Sequence, residues 1–546
     1  MPSPSYAHGV SLTPLLAETI GDNLRRTVER FPQREALVVC HQQFRASYAE
    51  LWELTTKTAR ALLTLHIQPG ERVGIWATNC YEWVVLQYAT ARVGAILVNI
   101  NPAYLAGELE YALRQSGVSV LFHGAGFRQN PYGPMLRSVR PHCADLRHVV
   151  PLPEQWTVFL DTGDTVPEAA LAEREATLQF DDPINIQYTS GTTGNPKGAT
   201  LTHHNILNNG FFVGEALGYT EHDRVALPVP FYHCFGMVMG NLACTSHGSC
   251  MVVPGEYFQP AAVLKAIADE RCTSLYGVPT MFRAVLDDPD FVETDCSSLR
   301  TGIMAGAPCP IELMRQVIDK LHMPEIAICY GMTETSPVST MSARDDSLER
   351  RVGTVGRVLP HLEISVRDAA SGAILPRGQV GELCTRGHTV MRGYWRDEAA
   401  TSAAIDAAAW MHSGDLAVLD DEGYLHIVGR IKDMIIRGGE NISPREIENV
   451  LLSHPDVSEA QVIGVPSVKY GEEVMAWIRP RSGTTLTGEA LSQWCCERMA
   501  RFKTPRYWQF VDTFPMTVTG KIQKYRLRAM AIELLGLQQA AAEKTA

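Results

Sequence analysis

The chain has 546 residues, a mass of 60.2 kDa and a net charge of −12 at pH 7. This length exceeds what one hydrophobic core usually serves, so we expect several domains. The acidic balance provides no general attraction to nucleic acid or to anionic membranes, since both carry negative charge.

The amino-terminal stretch, the apolar runs and the cysteines bear on where the protein resides. The first residues, MPSPSYAHGVSLTPLL, lack the basic segment and long apolar run of a signal peptide. The apolar stretch YATARVGAILVNI is interrupted by Arg92 and is too short to cross a bilayer. The 13 cysteines are irregularly spaced and contain no C-x-x-C pair, which is typical of a reducing compartment rather than of a disulfide framework or a zinc knuckle. We therefore expect a cytoplasmic protein without a transmembrane segment.

Short apolar strands alternate with helical patterns over much of the chain. ERVGIWATN and SVLFHG predict strands on either side of a buried helix at YEWVVLQYATARVGAI. CTSLYGVP, LRTGIMAGAP and EIAICYGMTE repeat the strand pattern later in the chain. Strands that alternate with helices favour an α/β fold with mainly parallel sheets.

One glycine-rich stretch, YTSGTTGNPKGA at 188–199, has the composition of a phosphate-binding loop. Its glycines allow main-chain N–H groups to face a ligand, its hydroxyl residues add donors, and Lys197 adds a positive charge. The stretch follows a predicted strand, INIQY, and precedes a short strand and a helix that Thr202 caps. It is not a Walker A loop, because Gly194 is followed by Asn195 rather than by lysine. On composition alone, a flexible surface turn explains the stretch equally well.

The stretch DLAVLDDEGYLHIVGR has two apolar runs around an Asp-Asp-Glu-Gly turn and predicts a β-hairpin. Pairing of its strands brings Asp415, where the first begins, beside Arg430, where the second ends, because paired strands lie about 5 Å apart. Taken alone, this pair could be an ordinary surface salt bridge. A compact α/β unit follows, with a helix that Ser443 caps and in which Glu446 completes a capping box. We place a domain boundary at 430–433.

Six stretches occur in an order that is characteristic of one superfamily. They are YTSGTTGNPKGA, VPFYHCFG, MAGAP, YGMTETSP, HSGDLAVLDDEGYLHIVGRIKDMIIRGGENISPREIE and TVTGKIQK. Together they resemble the adenylate-forming superfamily of acyl-CoA synthetases, peptide-synthetase adenylation domains and firefly luciferase, and the resemblance covers nearly the whole chain.

The resemblance implies a domain organisation within the α/β class. A large amino-terminal adenylation domain at 1–430 would contain mainly parallel sheets with helices and a subdomain with the β-hairpin. A hinge at 431–433 would join it to a small, mobile α+β domain at 434–530, and a tail at 531–546 would follow. The composition of the tail from about Leu535 predicts that it is frayed.

The resemblance also implies a site for ATP, for coenzyme A and for a carboxylic acid. The segment at 306–308 would lie along the adenine, and Asp415 would accept hydrogen bonds from both ribose hydroxyls. The residues that match the family's nucleotide contacts are Thr189, Ser190, Gly191, Thr192, Thr193, Gly194, Lys197, Gly306, Ala307, Pro308, Tyr330, Gly331, Met332, Thr333, Asp415, Arg430 and Lys521.

Four residues, Lys521, Glu334, His233 and Thr193, are implied in catalysis. Glu334 would hold Mg²⁺, because a hard cation prefers oxygen ligands. Lys521 would reach the substrate carboxylate and the α-phosphate and neutralise the charge that develops there. His233 would position the acid, whose carboxyl group is already ionised at neutral pH. Taken one at a time, each of these residues could equally be an ordinary surface or core side chain.

The resemblance assigns the hinge to Lys432 and a tunnel for the pantetheine arm of coenzyme A to Gly438, Gly439 and Glu440. Glycine suits such a tunnel, because backbone without side chains leaves room for a thin chain.

The implied activity is an ATP-dependent acyl-CoA ligase that forms an acyl adenylate. Acetyl-CoA synthetases of the family carry a bulky tryptophan after the Thr-Glu motif, where this chain has Ser336 and Pro337. Peptide-synthetase domains use an aspartate near VPFYHCFG, and none occurs between Pro228 and Gly240. A medium- or long-chain fatty acid is therefore favoured. The alternatives are an aryl-CoA ligase, an adenylating enzyme that loads a carrier protein, and an idle nucleotide-binding scaffold. The sequence leaves open whether the protein is a monomer or a homodimer.

Overall fold

The alternating apolar runs of the sequence form mainly parallel sheets flanked by helices. The structure is a computed structural model and describes residues 3–189, 195–307, 309–438, 440–517 and 522–542, without the side chains of residues 441 and 542. The chain divides into a large unit, Ala7–Ile364 with Cys384–His412, and a small unit, Met1–Tyr6 with Ser365–Leu383 and Ser413–Ala546.

The described residues of the large unit contain two large sheets, and in both the central strands are parallel and the antiparallel pairs lie toward the edges. The nine-stranded sheet has the order Arg357–Val358, Val338–Met341, Glu325–Gly331, Thr301–Met304, Ser274–Gly277, Arg224–Ala226, Cys250–Val253, Glu35–Val39, Phe44–Ser47. The seven-stranded sheet has the order Gly393–Tyr394, Lys197–Thr202, Pro183–Thr189, Ile96–Asn99, Arg72–Trp76, Val118–His123, His148–Pro151. A short pair, Gly126–Phe127 with Asn130–Pro131, is separate.

Helices connect these strands. In the described part of the large unit the α-helices are Ile20–Arg30, Tyr48–Thr64, Tyr81–Val93, Ala106–Ser116, Tyr132–Val139, Trp156–Thr162, Glu168–Glu175, His203–Leu217, Cys234–Gly236, Ala243–His247, Pro260–Glu270, Pro279–Leu286, Ile311–Lys320, Leu348–Gly353 and Glu398–Ala404. A π-helix spans Met237–Leu242, and 3₁₀ turns span Cys40–Gln42, Arg140–His142, Gly163–Thr165, Pro289–Glu293 and Thr333–Thr335. None of the described helices has the length and the apolar character needed to span a membrane.

The helix Tyr81–Val93 is buried on all sides, as its continuous apolar pattern predicts. Every residue after Tyr81 is buried, including Arg92. The Arg92 guanidinium is compensated by Glu175, with 2.5 Å between Nε and Oε1, and by the ring of Trp52 at 3.7 Å. Such pairing is required because an uncompensated buried charge is costly.

Two further sheets involve the small unit. A five-stranded sheet has the order Tyr6–His8, Leu362–Arg367, Gly381–Gly387, Met411–Leu419, Leu425–Arg430. Each of the first four strands in this order has residues that belong to the large unit and residues that belong to the small unit. The terminal sheet has the order Glu440–Ile442, Ile435–Arg437, Gly471–Pro480, Val457–Ser467, and Tyr507–Phe510 pairs with Gly471–Pro480. The described helices and 3₁₀ turns around it are Ile431–Asp433, Pro444–Leu452, Gly488–Cys496, Arg501–Lys503, Lys524–Leu534 and Gln538–Ala542.

The predicted capping box at Ser443 and Glu446 is wrong, although the predicted helix Pro444–Leu452 does begin after Ser443. The Ser443 hydroxyl instead donates to the carbonyl oxygen of Val428 at 2.8 Å, and the Glu446 carboxylate binds the Lys503 ammonium at 2.6 Å. Both side chains therefore serve tertiary contacts inside the small unit, which a local pattern does not reveal.

The predicted fraying from about Leu535 is wrong over the described residues, because Gln538–Ala542 is helical. The helix before it is Lys524–Leu534. Leu527 and Ala531 are buried in the cluster of Val465 and Trp477, which explains why this helix is ordered. The division into two units does not coincide with the predicted boundary at 430–433, which lies inside the small unit. The predicted domain limits stay a prediction.

Acidification should weaken the fold through His203. This residue is buried, its Nδ1 accepts a hydrogen bond from the Ile20 N–H at 3.1 Å, and burial lowers its pKa from 6.5 to about 4. Because the unfolded chain takes up the proton first, the stabilisation is complete above the unfolded pKa and is lost as the pH falls from 6.5 toward 4. Urea unfolding near pH 7.5 and near pH 5 should show a smaller pH dependence for His203→Asn than for the wild type. An equal dependence would contradict this expectation.

Candidate active site

The two strands that flank the glycine-rich loop bring its ends together. Pro183–Thr189 and Lys197–Thr202 pair antiparallel with Thr189 opposite Lys197, so the two strands predicted on either side of the loop are confirmed. Thr202 caps the next helix as predicted, since its Oγ1 accepts a hydrogen bond from the Asn205 N–H at 3.1 Å. Part of the loop lies outside the described residues, and the contacts predicted for it stay predictions: Ser190, Gly191, Thr192, Thr193 and Gly194.

Glu334 is a buried carboxylate next to the ends of this loop. It lies in the turn Thr333–Thr335, and only 6% of its surface is exposed. Its Oε1 accepts hydrogen bonds from the Tyr394 hydroxyl at 2.8 Å and from the Thr189 hydroxyl at 3.3 Å. No lysine, arginine or histidine in the described ranges forms a salt bridge with it. A buried carboxylate that has no cationic partner among the described residues is suited to bind an added cation.

Tyr394 joins Glu334 to the loop. The short strand Gly393–Tyr394 pairs with Lys197–Thr202, which places the Tyr394 ring 5.0 Å from the Lys197 ammonium. Burial and the negative charge of Glu334 raise the Tyr394 pKa above its ordinary value, so the hydroxyl stays protonated and donates to the carboxylate. Cation, ring and carboxylate thus form one connected group.

The loop that carries Glu334 leaves the end of the strand Glu325–Gly331. Its conformation needs glycine at 331, because an added Cβ would lie 1.7 Å from the Pro337 carbonyl oxygen. The Met332 N–H donates to the same oxygen at 2.9 Å, which closes the loop at its base. The predicted contacts Tyr330, Gly331, Met332 and Thr333 therefore occupy the strand end and the start of this loop.

Gly306 and Ala307 lie at the same edge of the sheet as this loop. They are exposed and follow the strand Thr301–Met304, which is parallel to its neighbour Glu325–Gly331. Loops after adjacent parallel strands meet at the carboxyl edge of a sheet, where ligands usually bind. The φ of Gly306 is +86°, a value that favours glycine, and Pro308 lies outside the described residues.

His233 lies in a separate loop of the large unit. It precedes the short helix Cys234–Gly236, it is half-buried, and its ring centre is 4.3 Å from that of Tyr232.

The small unit contains the remaining predicted residues. The hairpin places Asp415 opposite Arg430, as predicted, with 3.2 Å between Oδ1 and Nε. Lys432 lies in the exposed turn Ile431–Asp433, Gly438 has a φ of +60°, and Glu440 begins a short strand. Gly439 and Lys521 lie outside the described residues.

Tyr394 is the site residue that sequence reasoning missed. Its bond to Glu334 spans 60 positions, and its strand pairs with residues almost 200 positions earlier. The only available signal was a pair of aromatic residues in the stretch MRGYWRD, which by itself indicates no role.

Two family profiles match the chain. The profile of the AMP-binding enzyme matches residues 24–395, and that of the AMP-binding enzyme C-terminal domain matches residues 446–521. The chain belongs to the AMP-binding enzyme family. The predicted membership of the adenylate-forming superfamily is thereby confirmed.

This AMP-binding enzyme is 45% identical to YngI of Bacillus subtilis (strain 168), provisionally named an acyl-CoA synthetase, over 96% of this chain and 99% of that one. It is 43% identical to the mitochondrial medium-chain acyl-CoA ligase ACSF2 of Danio rerio, over 98% of this chain and 91% of the other. The crystal structure of ATP-bound MatB from Rhodopseudomonas palustris has a TM-score of 0.84 at 30% identity, over 94% of this chain and 99% of MatB. The α/β fold and the enzyme class, an acyl-CoA ligase, are confirmed.

Replacement of Gly331 by alanine should distort the loop of the AMP-binding enzyme that carries Glu334. The new Cβ would collide with a backbone atom, which cannot rotate away, so we expect a loss of at least about 2 kcal/mol in unfolding free energy. Urea unfolding measures this loss.

Gly107→Ala is the matched control for Gly331→Ala. A Cβ at 107 meets nothing within 4 Å, and Gly107 lies in the helix Ala106–Ser116, so this variant should gain up to about 1 kcal/mol. A Gly331→Ala protein as stable as the wild type would contradict the close approach.

Proposed function

We propose that this AMP-binding enzyme converts a medium- or long-chain fatty acid, ATP and coenzyme A into acyl-CoA, AMP and pyrophosphate. The observation that carries the proposal is the buried Glu334 carboxylate, held by the Tyr394 and Thr189 hydroxyls beside the base of the glycine-rich loop. Lys197, whose ammonium lies over the Tyr394 ring, adds a positive charge at the exit of that loop. An anion with a bound divalent cation matches this arrangement.

The Glu334 group fits Mg²⁺, because carboxylate and hydroxyl oxygens are the ligands that hard cations prefer. When bound, Mg²⁺ would neutralise charge on the phosphates of ATP. Glu334 would hold it, and the Tyr394 hydroxyl would orient the carboxylate by its hydrogen bond to Oε1. Thr193 and the rest of the loop would bind the phosphates through hydroxyl and main-chain N–H groups.

The reaction would have two steps. An oxygen of the fatty-acid carboxylate attacks the α-phosphorus in line, and the bond to pyrophosphate breaks. The thiol of coenzyme A then loses its proton to solvent and its sulfur attacks the acyl carbon, and AMP leaves with the electron pair of the broken C–O bond. Alignment and charge stabilisation would supply most of the rate in the first step. Lys521 would stabilise the charge at the α-phosphate, and His233 would position the acid.

The small unit would serve the nucleotide sugar and the second step. Asp415 would accept hydrogen bonds from the ribose hydroxyls through its carboxylate oxygens. Arg430 is 62% exposed, so it can reach a ligand while paired with Asp415. We propose that the terminal domain turns about Lys432 between the steps, and that Gly438, Gly439 and Glu440 then line the path of the pantetheine arm.

The residues that follow the turn Thr333–Thr335 support an apolar acid as the substrate. The Ser336 hydroxyl is buried and donates to the Thr389 carbonyl oxygen at 2.7 Å, so no bulky side chain projects from this position. The ACSF2 relative is named a medium-chain ligase, which supports the same substrate class.

We propose that the protein is cytoplasmic and that it is a monomer or a homodimer. The cytoplasmic location is supported by the composition and the cysteine pattern of the sequence, whereas the ACSF2 relatives are named mitochondrial proteins.

Pyrophosphate release with a panel of acids tests the proposed function. With Mg²⁺ and ATP, saturated acids from about C8 to C16 should give a kcat/KM at least about tenfold above that of acetate or benzoate, because each buried CH₂ contributes about 0.8 kcal/mol. Thioester should form only when coenzyme A is present. A preference for benzoate would indicate an aryl-CoA ligase, and pyrophosphate release without thioester would indicate transfer to a carrier protein. No release with any acid would leave only a nucleotide-binding scaffold.

Lys521→Ala should separate the two steps. Loss of a charge that stabilises the transition state should lower the rate of acyl-adenylate formation at least about 100-fold. Thioester formation from supplied acyl adenylate should change far less, since the α-phosphate bond is already made. Single-turnover assays of each step measure the two effects, and equal losses in both would contradict the assigned role.

A further inference from the structure

The helix His203–Leu217 has three buried asparagines near its start, and each binds the backbone of a distant segment. Asn205, Asn208 and Asn209 are 8%, 0% and 1% exposed. Buried amides need partners for both donor and acceptor, and here the partners include main-chain groups that are distant in sequence. The helix follows directly on the strand Lys197–Thr202, so these bonds tie the end of the glycine-rich loop to other parts of the large unit.

Asn209 binds one residue from both sides. Its Nδ2 donates to the Val338 carbonyl oxygen at 2.8 Å, and its Oδ1 accepts from the Val338 N–H at 3.1 Å. Two parallel bonds to one peptide residue fix both the position and the direction of the backbone there.

Val338 is the residue at which the loop with Glu334 returns to the sheet. It lies opposite Gly331, where the same loop leaves, and the Met332 N–H to Pro337 bond closes the base between them. The loop that carries Glu334 is therefore attached to the sheet at Gly331 and at Val338, and Asn209 binds Val338.

Asn205 holds the segment on the other side of Glu334. Its Nδ2 donates to the His388 carbonyl oxygen at 2.5 Å and to that of Val390 at 3.2 Å. The next residue, Met391, donates its N–H to the Glu334 carbonyl oxygen at 2.9 Å. Asn205 also completes the cap of its own helix, so its replacement would disturb two functions at once.

Asn208 also binds both main-chain groups of one residue, but that residue is Leu16 in a different segment. Its Oδ1 accepts from the Leu16 N–H at 2.7 Å, and its Nδ2 donates to the Leu16 carbonyl oxygen at 3.1 Å. Leu16 lies in the segment before the first long helix, Ile20–Arg30, and within the described part of the chain none of its hydrogen bonds reaches the Glu334 loop. Asn208 and Asn209 are therefore adjacent and buried, and each binds the N–H and the carbonyl oxygen of one distant residue. They differ in the segment that they hold, and the Asn208 Nδ2 also donates to the His204 carbonyl oxygen at 3.0 Å.

We propose that Asn209 is a positioning residue for Glu334 and thereby for magnesium-bound ATP. This inference rests on the proposed role of Glu334. Asn209 touches neither ligand, and it acts by fixing the return of the loop at Val338 so that the Glu334 carboxylate stays between Thr189 and Tyr394. A displacement of about 1 Å in a group that binds a reacting ligand is enough to reduce function about 100-fold.

The test compares Asn209→Ala with Asn208→Ala in the full-length protein. Both variants should lose unfolding free energy, because each leaves the N–H and the carbonyl oxygen of one backbone residue, Leu16 or Val338, without its amide partner. Only Asn209→Ala should weaken the binding of MgATP by about tenfold or more, measured by calorimetry without acid or coenzyme A. It should also raise the Mg²⁺ concentration for half-maximal pyrophosphate release, whereas Asn208→Ala should change both values less than about threefold. Equal changes in the two variants, or none in Asn209→Ala, would overturn the proposal.

Further variants and a local measurement keep the outcome decisive. If Asn209→Ala does not fold, Asn209→Thr keeps one neutral hydroxyl that can accept from the Val338 N–H and should give an intermediate loss of MgATP affinity. Hydrogen exchange of the amides at 332–338 should rise in the Asn209 variants and not in Asn208→Ala. Unchanged exchange at 332–338 would count against the positioning role.

Glu334→Gln separates this proposal from the proposed function. If the wild type releases no pyrophosphate with any acid, the ligase function fails, and MgATP calorimetry still decides the role of Asn209. If the wild type is active but Glu334→Gln leaves its Mg²⁺ requirement unchanged, the role of Glu334 fails and the inference fails with it. If Glu334→Gln raises the Mg²⁺ requirement and the two asparagine variants behave alike, the inference alone fails.

Discussion

The buried carboxylate of Glu334 is the interaction on which the rest of the site depends. A buried negative charge is tolerated only where hydrogen bonds and a cation compensate it. Here the hydroxyls of Thr189 and Tyr394 supply the hydrogen bonds, and the two residues come from different strands of the seven-stranded sheet. The nine-stranded sheet supplies Glu334 itself from the loop after Glu325–Gly331. Both large sheets must therefore be in place before the carboxylate is compensated, which couples the formation of the site to the folding of the large unit.

Close backbone approach provides the precision that this arrangement needs. At Gly331 there is no space for a side chain, and the loop is closed at its base by one main-chain hydrogen bond to Pro337. The helix His203–Leu217 adds side-chain amides that bind main-chain groups on both sides of the loop. Backbone contacts of this kind leave few alternative arrangements, because interiors are close-packed and buried polar groups require specific partners. Such rigidity would serve the proposed role of the Glu334 carboxylate, which is to hold a cation.

The small unit illustrates which predictions from sequence succeed. The hairpin that joins Asp415 to Arg430 is defined by two adjacent strands and a turn, so its register follows from local sequence alone, and it is confirmed. Ser443 and Glu446 have the spacing of a capping box, but their partners are Val428 and Lys503. Where a side chain can bond either a local or a distant group, the packing around it decides which bond forms. A local sequence pattern contains no information on that packing.

The sequence by itself determined the α/β class, the positions of several central strands and of the hairpin, the superfamily and the residues of its motifs. These follow from short-range periodicity, glycine and proline positions, and motifs that are each continuous in the chain. Only the tertiary structure decided which hydroxyls hold Glu334, that Tyr394 belongs to the site, and that the asparagines of one helix bind Leu16, Val338 and the 388–390 segment. Each of these contacts joins residues that are about 60 to 190 positions apart in the chain. Such pairings are set by how the sheets and helices pack, and the residues on either side of them carry no local signal of their partners.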